Sequence, residues 1–277
     1  MPIDTSTLTH KQKQAAVGAL IGAAVGDALG APFEFEPGGT YTKRFPQEVL
    51  GGTGEMIGGG TYGWAPGEFT DDTQMALALA ESLVDGKFDP ETTWNHFKAW
   101  AETARDIGNT TRVSLSNSDY MTAAEEAHVY LGQSAGNGSV MRIVPIAIAG
   151  VRWGAPKTAK IARQQSDLTH YEEGASYGAA IVAELIRRII ISGSFDDSFV
   201  DILDIVSGPQ HDIYADMLSD QWNPILPGYP GNGSVWTCIA QAIWCVRNTT
   251  SFEEAVTTAV NLGDDADTVA AVTGAIA

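Results

Sequence analysis

Two short acidic clusters stand near opposite ends of the 277-residue chain, each at the start of an apolar helical stretch. They are Thr70-Asp71-Asp72-Thr73 and Asp264-Asp265-Ala266-Asp267-Thr268. Both join carboxylates to threonine hydroxyls, the oxygen donors that hard divalent cations such as Mg²⁺ and Mn²⁺ take. Acids in a first helical turn also complement the helix dipole, so either cluster alone has a purely structural explanation. Together they predict one metal centre, closed by folding the two ends of the sequence against each other. Crowding Asp264, Asp265 and Asp267 is unfavourable unless a cation neutralises them. Their Asp-x-Asp spacing fits the front of a calcium loop, but the loop's glycine and closing glutamate are missing. The histidines, His10, His96, His128, His170 and His211, are too scattered in sequence to suggest zinc.

Helical periodicity supplies the elements that must position these groups. Thr9-His10-Lys11-Gln12 reads as a capping box for a helix running to about Leu29. Residues 15–25 of that helix are apolar all round, which predicts burial. Gly18, Gly22, Gly26 and Gly30 recur every four residues and make a bare ridge for close approach of another helix or a ligand. Pro at the first helical position after Asp89 opens a helix through about Thr103. Further helices are predicted over 119–131, 140–149, 156–166, 173–192, 196–206 and 234–247. Ser251-Phe252-Glu253-Glu254 caps another that ends near Gly263. Strand alternation is nearly absent. Two Gly/Pro-rich stretches, 37–67 and 207–233, read as long loops of the lid or binding type. Gly136-Asn-Gly-Ser-Val140 recurs as Gly231-Asn-Gly-Ser-Val235 before two apolar helices. Each copy is either an anion-binding helix start or a plain turn with an N-cap.

Composition bounds the partners. With 44% hydrophobic and 18% charged residues, the chain can bury a sizeable core. A net charge of −18 and no basic run argue against nucleic acid and anionic membranes. An anionic substrate would need positive charge, which bound metal supplies. Cys238 and Cys245 lie about two helical turns apart, too far to pair with each other. Two free thiols, and no basic start of a secretion signal, predict a cytoplasmic protein. The uncharged stretch Ala15–Gly26 is shorter than the roughly 20 residues of a membrane span.

The chain resembles the ADP-ribosylglycohydrolase family, which includes ADP-ribosylarginine hydrolases and dinitrogenase-reductase-activating glycohydrolases. The matching segments are Gly22-Ala-Ala-Val-Gly-Asp-Ala-Leu-Gly-Ala-Pro-Phe-Glu34, Phe69-Thr-Asp-Asp-Thr-Gln74, Gly136-Asn-Gly-Ser-Val-Met-Arg142, Thr169-His170 and Asn261-Leu-Gly-Asp-Asp-Ala-Asp-Thr268. The resemblance implies a single all-α domain over 1–277, an orthogonal helical bundle with long loops around a central metal cleft. It implies two divalent cations, Mg²⁺ or Mn²⁺, held by Thr70, Asp71 and Asp72 from one side and Asp265, Asp267 and Thr268 from the other. Glu34 would face the scissile bond, with Asp72 and Asp265 completing the catalytic set. Asn137, Gly138 and Ser139 would line the diphosphate and ribose, and His170 the ADP-ribose cleft. The substrate would be an ADP-ribosylated protein or small ADP-ribose conjugate, met by a monomer. Cleavage at the ribose anomeric carbon develops oxocarbenium character, which suits two cations on the ribose hydroxyls and one nearby carboxylate.

Two positions depart from the family pattern: Asp264 stands where glycine is usual, and the last helix stops about two turns in, at Ala277. Three other readings compete. Gly174-Ala-Ser-Tyr-Gly178 matches a nucleophile elbow, but no strand precedes it. Asp71-Asp72 opens a terpenoid-type DDxxD that breaks at Met75. A silent ADP-ribose-binding module would not need the full set of acids and threonines.

Overall fold

The computed structural model describes residues 8–46, 56–83 and 85–277. Among them the chain forms helices joined by turns and loops, with isolated β-bridges and no strand. The α-helices are α1 (His10–Gly30), α2 (Thr40–Arg44), α3 (Asp71–Ser82), α4 (Pro90–Ala101), α5 (Asn109–Leu115), α6 (Ala123–Leu131), α7 (Val144–Trp153), α8 (Ala155–Ser166), α9 (Glu173–Ser192), α10 (Phe195–Phe199), α11 (Pro209–Met217), α12 (Val235–Arg247), α13 (Phe252–Asn261) and α14 (Ala266–Ile276).

The glycine ridge decides how the ends meet. α1 and α14 pack against each other more extensively than any other pair. A Cβ built on Gly22 would lie 2.1 Å from the Gly274 carbonyl oxygen, and one on Gly26 would lie 2.1 Å from that of Ala270. At Gly30 it would meet Asp267 Cα at 2.4 Å. Only hydrogen fits at these positions, so the ridge is a backbone-to-backbone helix contact. Gly18 meets nothing within 4 Å and takes no part in it. The capping box at Thr9 is present, with Gln12 N donating to Thr9 Oγ1 and Thr9 N donating to Gln12 Oε1.

The expected burial of residues 15–25 holds on one face only. Val17 and Ile21 are exposed, whereas Gly26–Phe33 is buried without a break. Taken with its extension, the segment His10–Phe33 is long and apolar enough to cross a membrane by composition, but two thirds of its apolar window (67%) is buried inside the fold. Elsewhere α7, α9 and α12 supply the centre of the core, with Ile146, Ile181, Leu185 and Ile239 at 0% exposure. Cys238 and Cys245 are buried in α12 and unpaired.

Several boundaries differ from expectation. The stretch 37–67 contains α2 and a tight turn bridged between Gly59 and Trp64; Gly51, Gly52 and Gly54 lie outside the described residues. The stretch 207–233 contains α11, because Gly208-Pro209 opens a helix rather than a loop. The helix expected over 196–206 is α10 followed by a 3₁₀ turn, interrupted where Asp201 takes φ 54°. The helix expected over 140–149 begins at Val144, with Pro145 in its first turn. α6 begins at Ala123 rather than 119. α14 runs for 11 residues, about three turns.

Candidate active site

Three helix termini converge where α1 leaves its packed stretch. Asp27 is a fully buried carboxylate in that apolar segment. It accepts from Thr70 N at 2.8 Å, Thr73 N at 3.0 Å and Thr73 Oγ1 at 2.6 Å. Asp27 thus satisfies the open N–H groups at the start of α3 and ties that helix to α1. Thr70 is the N-cap of α3, and its Oγ1 donates to Asp72 Oδ2 at 3.0 Å. Thr268, in the first turn of α14, donates to the same oxygen at 3.3 Å. Carboxylate oxygens of Asp27, Asp72 and Asp267 lie within 4.8 Å of one another, and those of Glu34, Asp106 and Asp267 form a second such group. Asp267 belongs to both. Asp71 and Asp265 line the pocket that opens onto the second group.

So many acids in one buried place repel. Burial is the main cause of every shift here, and neighbouring carboxylates add to it. Glu34 is pushed up to about 9, first by burial and then by Asp106, Asp265, Asp71 and Asp27. Asp27 rises to about 6, burial outweighing the hydrogen bonds from Thr73 and Thr70. Burial and like charge also raise Asp71, Asp72 and Asp267. Asp265 and Asp106 rise through burial, against hydrogen bonds from Asn137 and Tyr62 respectively. Glu34 Oε2 and Asp72 Oδ1 are buried without any hydrogen-bond partner. Orphaned carboxylate oxygens in two oxygen-rich groups are what bound divalent cations would satisfy, so the residues fit the implied metals.

The two Gly-Asn-Gly-Ser copies face each other across Asp265. Gly136 and Ser234 form an antiparallel bridge. Asn137 Nδ2 donates to Asp265 Oδ2 at 2.8 Å and to the Asn232 carbonyl at 3.1 Å. Asn232 Oδ1 accepts from Asp265 N at 3.1 Å, while its amide nitrogen donates to the Gly263 carbonyl and to Gln241 Oε1. One copy holds the Asp265 carboxylate and the other its backbone. The second copy is also a turn with an N-cap, Ser234 Oγ accepting from Thr237 N at the start of α12. A second clasp fixes Glu34: Phe35 N donates to the Asp264 carbonyl at 2.7 Å, and Asp264 N to the Glu36 carbonyl at 2.8 Å. Phe35 (φ 65°) and Asp264 (φ 59°) both hold left-handed backbone, so strain sits on the two turns that carry Glu34 and Asp265. Asp264 itself is exposed and works through its backbone.

The pocket holds about 380 Å³ and is lined by Glu34, Asp71, Asp106, Asp265, Asp267 and Thr268, together with Asn137, Gly138 and His170. Ser139 lies behind this wall: it is fully buried, accepting from Ser166 Oγ at 2.8 Å. Thr70 and Asp72 are also buried beneath the lining. The run Asp106–Arg112, leading into α5, forms one whole side of the pocket. The two stretches expected to be binding loops, 37–67 and 207–233, contribute only Tyr62 and Gly233 among the described residues. Asp27, Tyr62, Asp106 and Asn232 were not singled out by sequence. A lone acid in an apolar helix was a usable signal for Asp27; nothing local marks Asp106.

The all-helical frame has known counterparts. The chain belongs to the ADP-ribosylglycohydrolase family, whose pattern matches residues 8–277. It is 31% identical over 283 residues to the ADP-ribosylarginine hydrolase Tri1 of Serratia proteamaculans, covering 95% of this chain and 70% of that protein. It is 30% identical over 268 residues to the ADP-ribosyl-[dinitrogen reductase] glycohydrolase of Rhodospirillum rubrum, covering 95% and 84%. A solved structure, an ADP-ribosylglycohydrolase-related protein complex, superposes with a TM-score of 0.75 at 29% identity, over 97% of this chain and 88% of that one.

Proposed function

We propose that this protein hydrolyses the glycosidic bond between ADP-ribose and an arginine side chain, using two divalent cations, Mg²⁺ or Mn²⁺. The observation that carries the reading is the pair of carboxylate groups sharing Asp267, with Glu34 Oε2 and Asp72 Oδ1 unpartnered within them. Thr70, Asp71, Asp72, Asp265, Asp267 and Thr268 supply the ligands foreseen from the sequence. Asp27 and Asp106 complete the two groups. Bound there, divalent cations would supply the positive charge that keeps these carboxylates ionised and attracts the ribose hydroxyls. Glu34, while ionised, faces the oxocarbenium-like carbon, and it becomes neutral as it takes the proton of the attacking water. Asn137 and Asn232 hold Asp265 in place. A lining rich in carboxylates suits a guanidinium acceptor, and a relative bearing the name ADP-ribosylarginine hydrolase supports the same acceptor. The buried free thiols support a cytoplasmic setting.

The test is a panel of ADP-ribosylated arginine, serine and nucleotide-end substrates, assayed for free ADP-ribose with and without chelator. Release from the arginine conjugate, abolished by EDTA and restored by Mg²⁺ or Mn²⁺, is expected. Turnover that is indifferent to chelator would overturn the metal assignment, and inert arginine conjugates would overturn the acceptor.

A further inference from the structure

Behind the pocket wall lies a buried cation that the proposed reaction does not use. Arg142 is 0% exposed, and its guanidinium lies 4.4 Å from the centroid of the Phe97 ring. Its hydrogen bonds all go to neutral acceptors: the Gln165 side chain and carbonyl, Met75 Sδ, and Thr169 Oγ1 at 2.8 Å. The last of these contacts has a consequence for the pocket. Thr169 Oγ1 is also 2.8 Å from His170 Nδ1.

The Thr169 hydroxyl is fully buried, and a ring proton on His170 Nδ1 would leave the hydroxyl's own proton without an acceptor among its hydrogen bonds. A guanidinium only donates, so Thr169 Oγ1 accepts from Arg142. The hydroxyl keeps one proton to give, and the His170 Nδ1 lone pair is the acceptor within its hydrogen bonds. Nδ1 then carries no proton, and the ring proton sits on Nε2. Burial and the Arg142 charge push the imidazolium down to about 3, so the ring is neutral at ordinary pH. Nε2 is turned toward the first Gly-Asn-Gly loop: a Cβ at Gly136 or Gly138 would come within 3.4 or 3.3 Å of it. His170 lines the pocket at that point.

We propose that Arg142 and Thr169 are positioning residues that lock His170 as its Nε2–H tautomer, making it a neutral hydrogen-bond donor to an acceptor oxygen of the ADP-ribose moiety. The chain of donors runs from guanidinium to hydroxyl to imidazole, so each bond polarises the next. It adds an uncharged donor to a pocket whose lining carries five carboxylates, Glu34, Asp71, Asp106, Asp265 and Asp267. The identity of the ligand rests on the function proposed above. The position of the proton does not.

Protein labelled with ¹⁵N-histidine and free of ligand reports the proton directly by NMR. The expected spectrum has Nε2 protonated, Nδ1 bare, and no change of state through neutral pH. Thr169→Val, close in shape but without a hydroxyl, should give the other tautomer or a mixture. Thr169→Ser should restore the wild-type spectrum. Calorimetry should then show ADP-ribose binding weakened about five- to tenfold in Thr169→Val, the size of one hydrogen bond, and within about twofold of wild type in Thr169→Ser. In turnover the Val variant should raise KM by a similar factor with kcat nearly unchanged. A wild-type ring protonated on Nδ1, or titrating near its ordinary value, overturns the proposal without any variant. A changed tautomer with unchanged affinity overturns the ligand contact. A wild type that does not bind ADP-ribose at all overturns the functional reading and the ligand assignment together, while the free-protein spectrum still decides the proton.

Discussion

Adding one methyl group to α1 at two positions two turns apart should move stability in opposite directions. Alanine is a better helix former than glycine by about 1 kcal/mol, so Gly→Ala in an open stretch of helix stabilises. Gly18 is such a place, with nothing within 4 Å of an added Cβ. Gly18→Ala should gain about 1 kcal/mol, raising Tm by about 2–4 °C for a chain of this size. At Gly26 the added Cβ would lie 2.1 Å from the Ala270 carbonyl oxygen, where ordinary contact begins at 3.4 Å. The obstacle is backbone, so no side-chain rotation relieves it. α1 and α14 must separate by about 1 Å, which places the cost at or above the upper end of the roughly 1–3 kcal/mol typical of overpacking. Sterics exceed the propensity gain, and Gly26→Ala should lose about 2 kcal/mol net and about 4–8 °C. The damage extends to the site, because Asp27 follows Gly26 directly and its partner Asp267 is on α14. Calorimetric titration should show Mn²⁺ affinity falling in Gly26→Ala and unchanged in Gly18→Ala. Thermal unfolding that finds Gly26→Ala as stable as Gly18→Ala would refute the helix-contact argument.

Three further outcomes follow from the site. Glu34→Gln should lower kcat by about 10²-fold or more while ADP-ribose still binds, as measured by turnover and calorimetry side by side; retained turnover would remove Glu34 from the chemistry. Asn232→Ala should lose about 2–3 kcal/mol in urea unfolding, since Gln241, the Gly263 carbonyl and Asp265 N lose their partner, and should weaken metal binding. The cation-free protein should be less stable as pH rises. Asp27 and Glu34, raised to about 6 and about 9 from ordinary values of 3.8 and 4.5, hold protons more tightly folded than unfolded. Folding therefore favours the protonated forms, and stability declines across the window from about pH 4 to about pH 9. Saturating Mg²⁺ should flatten that slope in urea titrations. A cation-free stability that increases through the window would contradict the electrostatic picture.

Residues with strong local signals were placed well from sequence. α9 occupies the expected 173–192, and α1 begins at its capping box, because apolar periodicity and caps act within a few residues. The acid–threonine pairs announced themselves by composition, and their convergence required only that two ends meet. What could not be read was set by distant partners. Asp106 belongs to the site because the run before α5 happens to pass Glu34 and Asp267. Arg142 is buried with neutral partners drawn from α3 and from the stretch around the end of α8, which no local pattern encodes. Ser139, inside the same motif as Asn137, points away from the pocket because a 3₁₀ turn over Asn137–Ser139 turns successive side chains to different sides. α11 is masked by its composition, since Gly and Pro punctuate loops, although Pro at a helix start favours the helix.

The hydrogen bond from Thr268 to Asp72 spans 196 positions of sequence. During synthesis the early helices emerge long before α14 exists to meet them. Until then Asp27 and Asp72 lack their third carboxylate, and no nascent fragment can assemble either group or turn over substrate. Formation of the centre therefore requires a long-range docking event, a slow kind by chain topology. Appearance of tight cation binding during refolding would time the docking of α14.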